Sequence, residues 1–243
     1  MRSYKTFVAA LASLSLAACG GGTTNNNNNH PGGSADMAVS SSTDMATLYA
    51  PAGFTVVPYL TASADTHTYT SADQVLVQGK DYAAVIETDV GRVVIDLEEV
   101  KTPITVNSFV FLTLHHYFDG IAFHRVIDNF VAQGGDPNTL DADTSQWGSG
   151  GPGYYFGVEV MNGLAYDGPG VVGMARSQSL NSNGSQFFIT LAATPSLNDK
   201  YTIFGKVIEG MDVLPKFARG TGNMMANPPT TPTRMTRVYI VSK

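Results

Sequence analysis

The chain has 243 residues, a formal net charge of -6, 43% apolar residues and only 14% charged ones. That is enough apolar material for a sizeable core, and an acidic, weakly charged chain lacks the basic face that nucleic-acid binding requires. A single cysteine leaves no disulfide option.

Arg2 and Lys5 form a short basic region ahead of an apolar run, Phe7 to Leu16, too short to span a bilayer as a mature helix. The run ends in Leu16-Ala17-Ala18-Cys19-Gly20, which resembles a bacterial lipobox. In such lipoproteins the cysteine is lipidated on sulfur and becomes the new N-terminus. The expectation is a signal peptide over 1–18, lipidation at Cys19, and an exported protein held at the cell envelope by its lipid alone. The plainer alternative is an ordinary signal peptide with a chance cysteine. Gly20, where an Asp would favour inner-membrane retention, argues against that destination. Residues 19–45 include five asparagines, Asn25 to Asn29, among glycines and serines. They cannot bury enough apolar surface to order themselves and read as a flexible tether. Residues 46–80 carry Leu48, Tyr49, Phe54, Val56, Val57, Tyr59 and Leu60, interrupted by Pro51 and Pro58. They read as an extension lying on the next domain, or as a separate partner-binding element.

The globular domain is expected over 81–243. Ala83 to Asp89 and Arg92 to Leu97 alternate around Val90-Gly91, a β-hairpin pattern. Thr102-Pro103 suits an N-cap and first helical residue. Val106, Phe109, Val110 and Thr113 then recur at helical spacing, which predicts a helix over 103–115 with one apolar stripe. Further strands are predicted at 121–126, 130–133, 171–175, 186–190, 202–207 and 235–241, with loops over 134–170. Many short strands and few helices point to an all-β sandwich or barrel; the pattern alone does not choose between them.

Two stretches stand out chemically. In FHRVIDNFVAQGGD (123–136), Arg125 sits between bulky apolar residues, and a cation carried inward on a strand needs a reason. In NGSQFFITL (183–191), Gln186 is set against Phe187 and Phe188. With GSGGPGYYF (148–156), GVVGMARS (170–177) and YTIFGKVIEGMDV (201–213), they occur in the order found in cyclophilins, the peptidyl-prolyl cis/trans isomerase family. The chain resembles that family from about Tyr82 to its C-terminus, in wording closer to bacterial than to animal members. The resemblance implies a mainly-β fold, a closed eight-stranded antiparallel barrel capped by two helices.

By the same resemblance, Arg125 is the catalytic cation, and Gln133 is a polar anchor on the neighbouring strand. Phe130, Val131, Phe188 and Leu197 line the pocket for the proline ring, and Tyr201 closes it. Ala175, Arg176 and Ser177 lie along the groove, where the main chain of residue 176 pairs with the peptide. Gln186 and Gly148 edge the next subsite. The position where cyclosporin-sensitive members carry tryptophan is Ser196, so weak cyclosporin binding is expected; Trp147 is no assured substitute. Val131, where methionine is more usual, makes the pocket shallower. The loop Pro137 to Gln146 is longer than in compact members, and Pro215 falls inside the expected second helix, where it starts the helix late or kinks it.

No cofactor and no metal are expected, since no histidine pair has zinc-ligand spacing with an acid or cysteine. Ser185 lies in N-G-S-Q rather than in a G-x-S-x-G elbow. His124 should turn away from Arg125 by strand alternation. His115 and His116 suit helix capping. The expected partners are proline-containing segments of unfolded or folding exported proteins, met by a monomer that binds no nucleic acid. The alternative on the same fold is a non-catalytic peptide-binding chaperone or envelope assembly factor.

Overall fold

The computed structural model describes residues 48–64, 66–220 and 228–243. The proposed signal peptide, Cys19 and the tether lie outside the described residues. Strand β1 (Thr55–Val56) is followed by the hairpin β2 (Tyr82–Thr88) and β3 (Gly91–Leu97), paired antiparallel from Ala83↔Asp96 to Thr88↔Gly91. Helix α1 (Pro103–Leu114) comes next. Strands β4 (Arg125–Ile127), β5 (Val131–Gly134), β6 (Val171–Met174), β7 (Phe187–Thr190), β8 (Ile203–Glu209) and β9 (Met235–Ser242) complete the set.

All pairings between strands are antiparallel, in the order β1-β9-β2-β3-β8-β6-β7-β5-β4. The segment leading into β4 then reaches the start of β9: Phe123 N donates to Thr233 O at 2.9 Å and Met235 N to Ile121 O at 2.9 Å. These bonds join the two ends of the run from β9 to β4. The ring of eight leaves little unpaired edge, and β1 is an added strand outside it.

Period-two alternation divides the residues between the barrel interior and its outside. Val126, Ala132, Phe187 and Ile189 belong to the main core, whereas Val131 and Phe188 belong to a separate outer cluster with Tyr166, Val171 and Ile203. Phe187 is fully buried and makes edge-on ring contacts with Phe109, Phe118, Phe123 and Phe204, at centroid distances of 5.6, 5.9, 6.0 and 6.3 Å. Edge-to-face packing suits the ring quadrupole.

Residues 48–64 and 66–80 run over the barrel. Leu48, Tyr49, Phe54, Val56 and Tyr59 cover the outer faces of Ala83, Val85, Val94, Tyr239 and Val241. This is why β2 is apolar on both faces. Tyr49 Oη donates to Glu209 Oε2 at 2.6 Å, and Tyr59 Oη to Val238 O at 2.8 Å. The extension also crosses α1, where Leu60 N donates to Leu114 O. Helix α1 is therefore buried from Thr105 to Leu114 on every side, not along one stripe. Its polar residues are satisfied internally: Asn107 Oδ1 accepts from Val75 N at 2.9 Å and Leu76 N at 3.3 Å, and Ser108 Oγ meets Tyr154 Oη at 2.7 Å.

Two helix expectations are corrected. Thr102 makes no side-chain cap; its hydroxyl donates back to Glu98 O. The free N–H groups of the first turn go instead to the Glu159 carboxylate, at 3.2 Å from Ile104 N and 2.8 Å from Thr105 N. A carboxylate there also faces the positive end of the helix dipole. Among the described residues the second capping helix is only a 3-10 turn, Leu214–Lys216, with Pro215 near its start. A proline there costs no ladder bond, because first-turn N–H groups have no intrahelical partner, and it sets a late start for the turn.

Replacing Glu159 with Ala should lower stability by about 1–2 kcal/mol, the scale of a lost N-terminal cap. Urea denaturation of both proteins checks this, with no change in midpoint as the contrary result.

Candidate active site

Strand register places the site. Arg125 lies opposite Gln133, Gln133 opposite Phe188, and Phe188 opposite Gly173. Residues paired across neighbouring strands share a face, so a cation, an amide and an aromatic ring form one row on the outside of the barrel. Gly173 ends the row because nothing larger fits: a Cβ there would lie 2.0 Å from Tyr166 Oη and 2.8 Å from Phe188 Cζ. Tyr166 is fully buried, with its ring centroid 5.7 Å from that of Phe188, and supports that ring from below.

The polar groups form a relay. Arg125 Nη1 donates to Gln133 Oε1 at 3.2 Å, Gln133 Nε2 to Gln186 Oε1 at 3.0 Å, and Gln186 Nε2 to Gly150 O at 2.8 Å. The guanidinium carbon is 5.7 Å from the Phe130 ring centroid. Arg125 is half-buried, and that burial pulls its pKa below the ordinary arginine value. The ordinary value is so high that the group stays charged.

Two cavities adjoin this row. One, of about 240 Å³, is lined by Arg125, Phe130, Val131, Gln133, Ala175, Arg176, Phe188, Leu197 and Tyr201. The second, of about 450 Å³, shares Gln133, Ala175 and Arg176 with the first and adds Gly148, Ser177 and Gln186. Every expected site residue except Cys19 thus lines one cavity or the other. The Tyr201 ring stands edge-on to Phe188 at 6.0 Å, and Arg176 lies over it, 4.6 Å from the centroid. Arg176 Nε is bound to Lys200 O at 2.8 Å. Ser196 lies exposed on the turn Pro195–Leu197, and Trp147 donates to Asp141 O in its own loop, lining neither cavity.

Several contributors were not singled out from sequence. Gly150, Tyr155 and Ser182 also line the second cavity. The first two fall inside the motif GSGGPGYYF, which could have pointed to them. Tyr166 stands in a loop with no local signal.

The family profile described as cyclophilin type peptidyl-prolyl cis-trans isomerase/CLD matches residues 83–240. The chain belongs to the cyclophilin-type peptidyl-prolyl cis-trans isomerase family. It is an isomerase of that class, whose substrates contain proline. Peptidyl-prolyl cis-trans isomerase-like 1 of Gibberella zeae is 43% identical over 130 residues, 54% of this chain and 77% of its own. Peptidyl-prolyl cis-trans isomerase ppi1 of Schizosaccharomyces pombe is 42% identical over 128 residues, 53% of this chain and 79% of its own. The crystal structure of a Cryptosporidium parvum cyclophilin type peptidyl-prolyl cis-trans isomerase superposes with a TM-score of 0.59 at 32% identity, covering 66% of this chain and 97% of that one. A second structure of that protein, in the presence of the dipeptide Ala-Pro, gives 0.58 at 33% identity, covering 65% and 98%.

The histidines of the isomerase lie beside the site or away from it. His115 Nδ1 meets Phe111 O at 2.8 Å, which caps α1. His116 Nδ1 pairs with Asp119 Oδ2 at 2.9 Å. His124 is buried and lines neither cavity, whereas Arg125 lines the smaller one. Phe123 and Val126 both face the barrel core, so alternation breaks at the two residues between them. His124 is 6% exposed beneath the glycine-rich loop, where a Cβ on Gly148 would lie 3.7 Å from Nε2. Burial lowers the pKa of His124, opposed in part by the nearby Asp136 charge, and burial likewise lowers that of His67.

Both rings are held neutral in the native isomerase, and the unfolded chain takes up their protons more readily. The stability that this linkage protects is fully present above the unfolded imidazole pKa of about 6.5, and is lost as pH falls through the lower native values. Denaturation midpoints should therefore fall on the acid side of that value, and His124→Asn should shrink the slope. An unchanged slope in the variant would refute the assignment to His124.

Proposed function

We propose that Arg125 drives the isomerisation, and that the enzyme acts as a lipid-anchored monomer on proline-containing segments of exported proteins. An X-Pro bond resists rotation because amide resonance sets a barrier of about 18–20 kcal/mol. Uncatalysed exchange takes on the order of tens to hundreds of seconds. No covalent bond has to break; the catalyst must bind the twisted amide better than either planar isomer.

In the twisted state the proline nitrogen loses conjugation and gains a lone pair. A guanidinium donor directed at that nitrogen stabilises the lone pair and discourages the return of resonance. Gln133 fixes the Arg125 fork from one side. Phe130, Val131, Phe188 and Leu197 hold the ring in the smaller cavity and exclude water, which strengthens the electrostatic contribution. Gln186, Gly148 and Ser177 receive the adjoining residues in the second cavity, and the main chain at Arg176 steadies the peptide while its other side turns. The observation that carries this reading is the single row Arg125–Gln133–Phe188 at the rim of an apolar cavity.

A protease-coupled proline-peptide assay on the full chain tests it. Arg125→Ala should lose on the order of 10²–10³-fold in turnover, the scale of removing one preorganised donor, while peptide affinity changes little. Loss of affinity with unchanged turnover would instead mark Arg125 as a residue of a peptide-binding chaperone.

The anchoring rests on the lipobox-like Leu16-Ala17-Ala18-Cys19 and on Cys19 being the sole cysteine. In an export-competent bacterial host, the wild-type chain should sediment with membranes and Cys19→Ser should pass to the soluble fraction. Equal partition of the two would remove the anchor.

A further inference from the structure

The glycine-rich loop that walls the second cavity carries Gly148, Gly150, Gly151 and Gly153 within six residues. Such a run has too much backbone freedom to keep one shape by itself. Bonds from outside hold it, four of them spread along its length. Gly148 N donates to Asp136 Oδ2, Gly150 O accepts from Gln186 Nε2 at 2.8 Å, Pro152 O accepts from Tyr69 N at 2.7 Å, and Tyr154 Oη meets Ser108 Oγ at 2.7 Å. Three of these partners lie within residues 83–240, the span that the family profile matches. Tyr69 does not; it belongs to the extension.

The extension and the loop meet backbone to backbone. A Cβ on Gly153, which sits at φ +90, would come within 2.6 Å of Tyr69 O and 2.9 Å of Thr68 Cγ2. Only glycine permits that approach. The Tyr69 ring is itself fixed, at centroid distances of 5.3 Å from Phe111, 5.5 Å from His115 and 6.4 Å from Tyr117. On the far side of Pro152, Gly150 continues through Gln186 and Gln133 to Arg125. Tyr155, 66% exposed, lines both the second cavity and a groove bordered by extension residues 70–72.

We propose that residues 66–72 of the extension hold the loop 148–155 in the shape that fits the second cavity to its substrate residue, with Tyr69 as a positioning residue for substrate selection. This rests on the isomerase reading of the neighbouring site. The extension is then part of the substrate-selecting apparatus, although it touches no substrate atom.

The test uses the full chain as wild type, Tyr69→Ala, Tyr69→Phe and Gly153→Ala. Two probes are compared: a blocked Ala-Pro dipeptide, whose small alanine makes least use of the second cavity, and a longer peptide with a bulky residue ahead of its proline. Isomerase kinetics give KM and kcat, and fluorescence anisotropy gives peptide affinity without turnover. Tyr69→Ala and Gly153→Ala should weaken the longer peptide in KM and affinity by about tenfold, the scale on which a displaced positioning group acts. Values of kcat, and all values for the dipeptide, should stay within about twofold. Tyr69→Phe keeps the ring and the backbone N–H and should behave as wild type. If Tyr69→Ala does not fold, Gly153→Ala carries the comparison from the loop side. Equal losses on both peptides, no loss on the longer one, or failure of Tyr69→Phe to restore it would overturn the proposal. A wild type without turnover would end the isomerase reading while the anisotropy data still decide on selection.

Discussion

The bond from Arg125 to Gln133 is the constraint on which the site depends. A half-buried guanidinium at the rim of an apolar cavity is costly unless its direction is fixed. Antiparallel pairing fixes it: β4, β5 and β7 are in a register that puts Arg125, Gln133 and Phe188 in one line. The same register sends Val126, Ala132 and Phe187 inward, where they fill the barrel. Site and core are therefore two faces of the same three strands. The amide relay through Gln186 to Gly150 then extends the fixed geometry from rigid strands to a flexible loop.

The extension changes what the barrel can bury. Without it, Ala83, Val85 and Val94 would present an apolar outer face, and α1 would show Asn107 and Phe111 on its outer side. With it, Asn107 accepts from Val75 and Leu76 and donates to Asp73 O, a set of bonds that only a second chain segment can supply. Tyr59 stacks on His116 at 3.7 Å, which fixes the turn after α1. The extension thus runs from the outer sheet face, past the C-terminal end of the helix, to the loop beside the active site.

Much of this was legible in the sequence, because the strands are local and periodic. The hairpin, the helix from Pro103 and the strand carrying Phe188 announce themselves by short-range pattern, although the hairpin turns at Asp89-Val90 rather than Val90-Gly91 and β4 begins at Arg125 rather than at 121. What stayed hidden depends on partners far along the chain. The cap on α1 comes from Glu159, which no spacing rule links to Ile104. The burial of α1 on all sides comes from the extension, whose seat on the helix no local pattern marks. The end of the Arg125 row comes from Tyr166 filling the space above Gly173. The second helix shrinks to the late-starting turn Leu214–Lys216, whose first turn holds Pro215.

Phe187 and Phe188 are neighbours in one strand with opposite duties. A displacement of β7 by one residue would exchange them, since side chains alternate with period two. The barrel would lose its central ring in the same step that the proline cavity lost its wall. No compact, well-packed but inert form is available by such a slip. Recovered catalytic rate after dilution from denaturant is then a direct measure of how many molecules regained the native register.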